Sequence, residues 1–552
     1  MNYKKDDFVE VTISDCGNEG EGIGKIDGYP FFIKDAIIGD VVRAKVMKTK
    51  KSYAYARLVE VLIPSEKRCE PKCPVHKQCG GCQIQAMSYQ EQLKYKENKV
   101  KNHLIRIGGI EAKALEERME PMIGMENPWR YRNKAQYPIG RNKEGQIVAG
   151  FYAGRTHSIV ANDNCLLGPE KHKVILKMII EYMEKEGIEP YDEVTHSGII
   201  RHVLIREGFQ TGEVMVCLVV NMSLKKSGRL SNIEKLAEDL FTIKGMTSFV
   251  LNENSEDTNV ILGRNCKTVR GKDDIEDILC GLRFRISPLA FYQVNPVQTE
   301  KLYDTALEFA DLSGEEEVWD ICCGIGTITL ALAQKAGKVH GLEIVDAAIE
   351  DAKQNARMNG VTNVDFICAP AEEYMPLHKQ SITADVIVVD PPRKGMDERS
   401  LEVMTLMAPK KIVYVSCDSA TLARDVKYLQ AAGYELKRVR TVDMFPHSVH
   451  VETVVLLSQQ KPSDRIAVDL DLNELDVTSA ETKATYAEIK DYVLKEHGLK
   501  VSSLYISQVK RKCGLEVGEN YNLAKLEDTK QPNCPEEKEK VIEDALKHFG
   551  MI

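Results

Sequence analysis

The chain has 552 residues, 43% hydrophobic and 28% charged, with a formal net charge of −9. That length allows several domains, each with its own core, and the composition is that of an ordinary soluble globular protein, with no apolar run near the roughly 18 residues of a membrane span. An acidic balance excludes a nucleic-acid footprint spread over the whole surface, so any such binding must rest on local basic and aromatic patches. The opening residues, Met1-Asn2-Tyr3-Lys4-Lys5-Asp6-Asp7, lack the apolar core of a signal peptide, and a cytoplasmic protein is expected. Fifteen cysteines, odd in number and unevenly spaced, argue against a secreted disulfide framework and for thiols used in metal binding or catalysis.

Residues 1–64 alternate short β-rich runs with glycine turns: Phe8 to Ile13, Gly20 to Ile26, Tyr29 to Ile33, Asp40 to Val46 and Ala54 to Leu62. This spacing predicts a small five-stranded barrel. Lys45, Lys48, Lys50 and Lys51 precede Tyr53, Tyr55 and Arg57, which sets charge for phosphates beside rings on which bases can stack; a solvated hairpin is the alternative. After Pro64 comes a cysteine cluster, Cys69, Cys73, Cys79 and Cys82, in which the Cys-Gly-Gly-Cys turn lets the backbone fold closely around a metal. An iron–sulfur cluster takes four cysteines, so a fourth ligand comes from Cys69 or the distant Cys165; zinc, with His76 inside the loop, is the rival metal, and spacing alone does not choose.

Residues 88–107 read as a connector helix with Tyr89, Leu93, Tyr95, Val100, Leu104 and Ile107 at its apolar positions. In Trp129-Arg130-Tyr131-Arg132-Asn133-Lys134-Ala135-Gln136-Tyr137 rings and cations alternate at strand period, so one face could stack bases while the other meets phosphate, or the strand is merely amphipathic. From Ile139 to about Lys272 strands alternate with helices as a second α/β lobe, a region without a nameable chemistry of its own.

A helix from Pro296 to Ala310 leads into Glu317-Val318-Trp319-Asp320-Ile321-Cys322-Cys323-Gly324-Ile325-Gly326-Thr327, a strand and a glycine turn that opens a helix. The third glycine of dinucleotide sites is missing; an acidic strand end followed by Gly-x-Gly suits S-adenosylmethionine, which carries no phosphate. A second strand ends in Glu343, placed to bind ribose hydroxyls. A strand from Ala384 to Val389 ends in Asp390-Pro391-Pro392-Arg393, and the next, from Lys411, ends in Val415-Ser416-Cys417-Asp418 before a helical stretch. Cys417 thus stands at a strand's carboxyl end, where open α/β sheets present reactive groups and where a helix N-terminus lowers a thiol pKa. One cysteine among fifteen is by default a small buried residue; position and partners argue otherwise. If the final strand, from Glu452, runs antiparallel, Glu452 meets Cys417 and Asp390. Residues 461–552 change character, with an amphipathic helix over 484–498 and a second over 502–514 that read either as a helix-turn-helix or as a plain helical appendage.

At Cys417, with its Ser-Cys-Asp-x-Ala-Thr-Leu-Ala-Arg-Asp continuation, the chain resembles the RNA uracil-5 methyltransferase family, in particular bacterial 23S rRNA enzymes with an N-terminal TRAM domain. The resemblance runs over roughly residues 5–460 through Cys-Gly-Gly-Cys, Trp129 to Lys134, Phe291-Tyr292-Gln293-Val294-Asn295, Asp390 to Gly395, Asp443 to His447 and His450 to Thr453. It implies an α/β fold with the doubly wound sheet of class I S-adenosylmethionine methyltransferases over 281–460. An OB-like TRAM barrel over 1–64, an iron–sulfur central domain over 65–280 and a helical extension over 461–552 complete the implied organisation. It further implies a [4Fe-4S] cluster on Cys73, Cys79, Cys82 and Cys165, and an S-adenosylmethionine pocket that includes Gln293, Cys322, Glu343 and Asp390. The implied partner is RNA, 23S rRNA before tRNA, bound by a monomer away from membranes. Cys322 stands where the family usually has an aromatic residue, and Thr327 where it commonly has Asn.

The chemistry accounts for the residue types. Uracil C5 is too weak a nucleophile to take a methyl group unaided, so a thiolate, Cys417, first adds to C6; Glu452 is then the base that removes the C5 proton. An exocyclic amino methyltransferase could use the Asp-Pro-Pro turn without Cys417, and a non-catalytic RNA-binding iron–sulfur protein would need neither Glu343 nor Glu452.

Overall fold

The computed structural model describes residues 3–225, 230–377, 384–460, 486–513, 515, 534–549 and 551–552. Strands Phe8–Cys16, Gly22–Ile26, Tyr29–Lys34, Val41–Thr49 and Ala54–Ile63 close into a barrel in which the third strand pairs with the fifth. Strict alternation drives the closure: Val9, Val11, Ile13, Phe31, Ile33, Val42, Ala44 and Val46 point inward and are buried together, while their neighbours face water. Outside, Phe32, Tyr53 and Tyr55 form a ring cluster with centroids 5.4–5.7 Å apart, and Tyr55 stays exposed. The rings expected beside the lysines are therefore on the surface.

A seven-stranded sheet follows, in spatial order Asn265–Gly271, Met246–Glu253, Val214–Val220, Ile200–Glu207, Lys134–Arg141, Ile147–Tyr152 and Ile159–Ala161. Helices Lys171–Glu186 and Ile233–Leu240 bury its apolar face. The strand expected from Trp129 starts only at Lys134. Arg130 takes a left-handed conformation (φ 56°), which breaks the alternation, and the rings are already used inside the protein. Trp129 stacks on His447 with centroids 3.8 Å apart, and Tyr131 is buried with its hydroxyl donating to the Pro446 carbonyl at 3.1 Å. A stretch that reads as a base-stacking ribbon is an internal brace.

The large sheet has the spatial order Val364–Cys368, Lys338–Glu343, Glu317–Ile321, Val386–Val389, Lys411–Ser416, Glu452–Gln459, Tyr434–Val442 and Met119–Ile123. The first five strands are parallel and bury both faces under two apolar clusters, which explains their unbroken Val/Ile runs. Glu452–Gln459 runs antiparallel to Lys411–Ser416. The edge strand Met119–Ile123 comes from the segment before residue 281 and pairs with Tyr434–Val442, so that segment contributes to two sheets.

Helix Tyr89–Arg106 buries the stripe Gln92, Lys96, Val100 and Leu104, in which the two apolar residues are as expected and the two polar ones are not. Gln92 and Lys96 are buried, whereas Ile107 is 39% exposed. Both members of the Lys96–Asp443 ion pair are fully buried at 2.5 Å; Lys96 also donates to the Phe445 carbonyl at 2.9 Å, and Tyr89 donates to the other Asp443 oxygen at 2.8 Å. Burial pulls the Lys96 pKa down while Asp443 holds it up.

Residues 465–552 form a separate compact unit. Helices Tyr486–His497, Ser503–Lys512 and Glu536–His548 share a core of Ile489, Val493, Ile506, Val509, Ile542 and Leu546. The third helix, masked in sequence by its charged first turn, makes this a three-helix cluster rather than a bare two-helix motif. Ala484, Thr485 and Gly514, at the ends of the two expected helices, lie outside the described residues. Among the described residues no helix is long and apolar enough to cross a membrane.

Breaking a buried ion pair from one side leaves an uncompensated charge, at a cost of about 3–5 kcal/mol. Lys96→Met is therefore expected to lower the thermal midpoint by several degrees, with Lys96→Met/Asp443→Leu recovering part of the loss. A single variant that melts with the wild type would show the pair to be dispensable.

Candidate active site

The strand Lys411–Ser416 is buried along nearly its whole length, and its register fixes what surrounds the next residue. Val389 pairs with Tyr414 on one side and Thr453 with Ser416 on the other. Continuing the antiparallel ladder by one step sets Glu452 opposite Cys417, and Asp390 follows Val389 off the same edge. Helix Ser419–Ala431 begins directly after, with the Asp418 side chain accepting from the Ala420 and Thr421 backbone N–H groups at 2.9 and 3.1 Å. Cys417 thus sits in the bend between a buried strand and a capped helix.

The continuation Ala420-Thr421-Leu422-Ala423-Arg424-Asp425 has a task of its own. Thr421 donates to the Arg393 carbonyl at 3.2 Å, and Arg424 to the Lys394 and Met396 carbonyls at 3.2 and 2.8 Å. Asp425, fully buried, accepts from the Met396 N–H and the Tyr414 hydroxyl. Together they pin the turn that carries Asp390 and Arg393. Gly395 in that turn has φ 72°, and a Cβ there would lie 2.6 Å from the Asp425 carboxylate, so the close approach requires glycine.

All of Gln293, Cys322, Glu343, Asp390, Cys417 and Glu452 line one cavity of about 470 Å³. Gln293 donates to Asp390 at 3.3 Å and is itself held through its backbone carbonyl by Asn133 at 2.9 Å. Glu343 is partly committed: its carboxylate accepts from the N–H groups of Ile344, Val345 and Gly324 at 2.8–3.1 Å. Cys322 occupies a left-handed position (φ 73°) at the glycine turn. Asp320, the acidic strand end before the glycine turn, lines the same cavity, as do Arg393 and His450, which were given no role from sequence although His450 lies at strand period before Glu452.

The electrostatics run against one expectation. Instead of being lowered by the helix N-terminus, the Cys417 thiol is pushed up to about 12 by burial, with Glu452 and Asp390 adding to the rise and Arg393 opposing it. Glu452 is 3% exposed, and burial followed by the Asp390 charge holds its carboxyl well above the usual range. Burial raises Asp390 to about 7 against its Gln293 hydrogen bond, and raises Asp320 to about 7 as well. Burial and the Arg393 charge lower His450 to about 4, so its ring is neutral near pH 7. One oxygen each of Asp320 and Glu452 is buried without a hydrogen-bond partner. A cavity lined by four carboxyl groups, two of them with an unpartnered oxygen, and by one guanidinium is chemically suited to a cationic ligand.

A second cavity, of about 290 Å³, is lined by Cys73, Cys79, Cys82 and Cys165, with His76, Arg132 and His202 among its walls. The loop that carries Cys79 is drawn in by a Gly80 N–H to Tyr152 carbonyl bond at 3.0 Å, and Arg130 fixes Cys165 by donating to its carbonyl at 2.8 Å. Cys69 lies elsewhere, its Sγ donating to the Gln85 and Met87 carbonyls at 3.2 and 3.3 Å. Among the described residues no group of His, Cys, Asp and Glu is gathered closely enough for a single metal ion.

Comparison with known proteins identifies the family. A family model described as tRNA (uracil-5-)-methyltransferase matches residues 88–460, and a TRAM domain model matches residues 7–59. The chain is 48% identical over 456 residues to an uncharacterized RNA methyltransferase of Clostridium tetani, covering 82% of this chain and 97% of the relative. It is 47% identical to another from Listeria innocua, covering 82% and 98%. Among solved structures, the tRNA (uracil-54, C5)-methyltransferase of Pyrococcus abyssi, in complex with S-adenosyl-L-homocysteine, superposes with a TM-score of 0.65 at 27% identity, covering 81% of this chain and all of that one. With a family model across more than half its length, a TRAM barrel in front and the cofactor-bound fold of a relative behind its large sheet, the chain belongs to the S-adenosylmethionine-dependent RNA (uracil-5-)-methyltransferases.

Proposed function

We propose that the protein methylates C5 of a uridine in 23S rRNA through a covalent adduct between Cys417 and C6 of the base. The observation that carries this reading is the ladder that pairs Ser416 with Thr453, whose next step sets Cys417 opposite Glu452, together with the acid-lined cavity that both residues line. S-adenosylmethionine supplies an electrophilic methyl group on a sulfonium, and Gln293, Cys322, Glu343 and Asp390 are the residues that hold it. Cys417 adds to C6, which gives C5 enolate character and lets it take the methyl group. Glu452 in its carboxylate form then accepts the C5 proton, and Cys417 departs as C5–C6 unsaturation is restored. Gln293 keeps Asp390 oriented, and Arg393 is the cation whose charge opposes the rise in the thiol's pKa. The uridine must leave its stack to expose both ring faces, which a loop or bulge permits cheaply.

A tRNA target is the second reading, favoured by the likeness to the archaeal tRNA enzyme. Mapping 5-methyluridine in 23S rRNA and in tRNA from a strain lacking the gene separates the two: loss confined to tRNA would overturn the rRNA assignment.

The cysteine cavity we assign to a [4Fe-4S] cluster on Cys73, Cys79, Cys82 and Cys165. Its support is the convergence of these thiols on one cavity, with Cys69 engaged elsewhere. Its role is to tie the loop after the barrel to the second sheet, since methyl transfer moves no electron. Loop closure costs grow slowly with length and metal–ligand bonds contribute directly to folding, so a ligand as distant as Cys165 is thermodynamically reasonable.

Cys417→Ala is expected to abolish methylation while still binding S-adenosylmethionine, and full turnover by that variant would remove the mechanism. Glu452→Gln is expected to transfer the methyl group but release product slowly, so a protein–RNA adduct accumulates on a denaturing gel; absence of any adduct counts against Glu452 as the base. Anaerobic purification should give a brown, oxygen-sensitive protein in which Cys165→Ser loses the iron and Cys69→Ser keeps it. One zinc and no iron would overturn the cluster.

A further inference from the structure

The segment that carries Gln293 stands between the two cavities: Phe291 and Gln293 line the acid-rich one, and Val294 lines the one with the four cysteines. It joins the strand Leu282–Ile286 to the helix Pro296–Ala310 and forms neither helix nor strand itself, so its backbone carbonyls must find donors elsewhere. The donors come from the seven-stranded sheet. Arg206, in Ile200–Glu207, donates from Nη2 to the carbonyls of Pro288, at 3.4 Å, and of Ala290. Asn133, directly before Lys134–Arg141, donates from its side chain to the Gln293 carbonyl and from its backbone N–H to the Val294 carbonyl, both at 2.9 Å. The two residues are neighbours across paired strands: Arg206 faces Lys134, and the Glu207 N–H donates to the Asn133 carbonyl at 2.8 Å. One edge of the second lobe thus grips residues 288–294 at both ends.

Arg206 is an expensive way to hold a loop. It is 3% exposed, its Nε is buried without a hydrogen-bond partner, and among the described residues it forms no ion pair. Burial lowers its pKa to about 10, which leaves it charged at neutral pH. A buried charge without a counter-ion costs stability, and an apolar side chain would fill the same place without that cost. What the charge secures is the backbone that presents Gln293. The bond from Gln293 to Asp390 is long, at 3.3 Å, so a small shift of that backbone breaks it, and it is the interaction that opposes the burial-driven rise of the Asp390 pKa. We infer that Arg206 and Asn133 are positioning residues for the methyl donor: from the cysteine-bearing lobe they fix the backbone of residues 288–294, so that the Gln293 side chain meets both Asp390 and the cofactor. This rests on the assignment of Gln293 and Asp390 to the S-adenosylmethionine site.

A double-mutant cycle separates positioning through Gln293 from general support of the fold. S-adenosylhomocysteine cannot donate a methyl group, so its dissociation constant, measured by titration calorimetry on the full chain, reports the geometry of the site alone. Arg206→Met is expected to weaken binding roughly tenfold, about the worth of one hydrogen bond to a charged group. Arg206→Lys, which keeps a charged donor, should recover part of that loss. Gln293→Ala is expected to weaken binding by a similar factor, and adding Arg206→Met to it should cost little more, because Arg206 acts through Gln293. Wild-type affinity in Arg206→Met, or losses that multiply in the double variant, would overturn the inference while leaving the methyltransferase reading intact. Asn133→Ala, which frees the Gln293 carbonyl, carries the same cycle with the same two outcomes if Arg206→Met fails to fold. Wild-type affinity in Gln293→Ala would instead overturn the cofactor assignment of Gln293, and this inference with it.

Discussion

The buried pair Lys96–Asp443 is the constraint on which the active-site geometry depends. Asp443 opens the loop that joins Tyr434–Val442 to Glu452–Gln459, and that loop must end with Glu452 opposite Cys417. Helix Tyr89–Arg106 grips it along one stripe. Tyr89 and Lys96 bond Asp443, Gln92 accepts from the His447 N–H at 2.9 Å, Lys96 holds the Phe445 carbonyl and Lys99 the Val449 carbonyl. Those positions recur at helical spacing, so one rigid element sets the whole loop. The same helix reaches the barrel, where the Tyr95 hydroxyl donates to the Gly17 and Asn18 carbonyls at 2.9 and 3.0 Å. Barrel, cysteine loop and active-site loop are thus registered to one another through a segment that carries no chemistry itself.

Much of the site could be read from the sequence because it follows from strand rules. A β-branched run ending in Ser-Cys-Asp before a helical pattern yields the Cys417 bend from period alone; Glu452 beside it needed the antiparallel last strand that the family resemblance suggested and the pairing of Glu452–Gln459 with Lys411–Ser416 bears out. The barrel was legible for the same reason, through its alternating inward residues. What could not be read depends on contacts far apart in the chain. Gln92 and Lys96 look like solvated positions until Asp443 and His447 close over them. Trp129 and Tyr131 look like a stacking ribbon until His447 and Pro446 occupy them. The Cys417 thiol followed the wrong local cue: the helix N-terminus acts over one turn, while burial and two carboxyl groups act from other elements.

The acid-rich cavity reconciles these observations with catalysis. Taking carboxyl groups out of water is costly, and the raised pKa values of Asp320, Asp390 and Glu452 are how the protein avoids burying three charges at once. Such a site gains most from a cationic ligand, which distinguishes it from a phosphate-binding dinucleotide turn built on the same kind of sheet. The turn bearing Asp390 and Arg393 is held by Thr421, Arg424 and Asp425, so part of the sequence signature after Cys417 serves positioning, one layer behind the reacting groups.

The adduct between Cys417 and a uridine can be captured directly. RNA substituted with 5-fluorouridine offers no C5 proton for Glu452 to remove, so the intermediate stalls once the methyl group has been transferred. Incubated with S-adenosylmethionine, the protein should form a complex that survives denaturation, and mass spectrometry should find a methylated fluorouridine nucleotide on the peptide Ile412–Arg424 at Cys417. Methylation of unsubstituted RNA with no such complex, or a nucleotide attached at a different cysteine, would contradict the assignment.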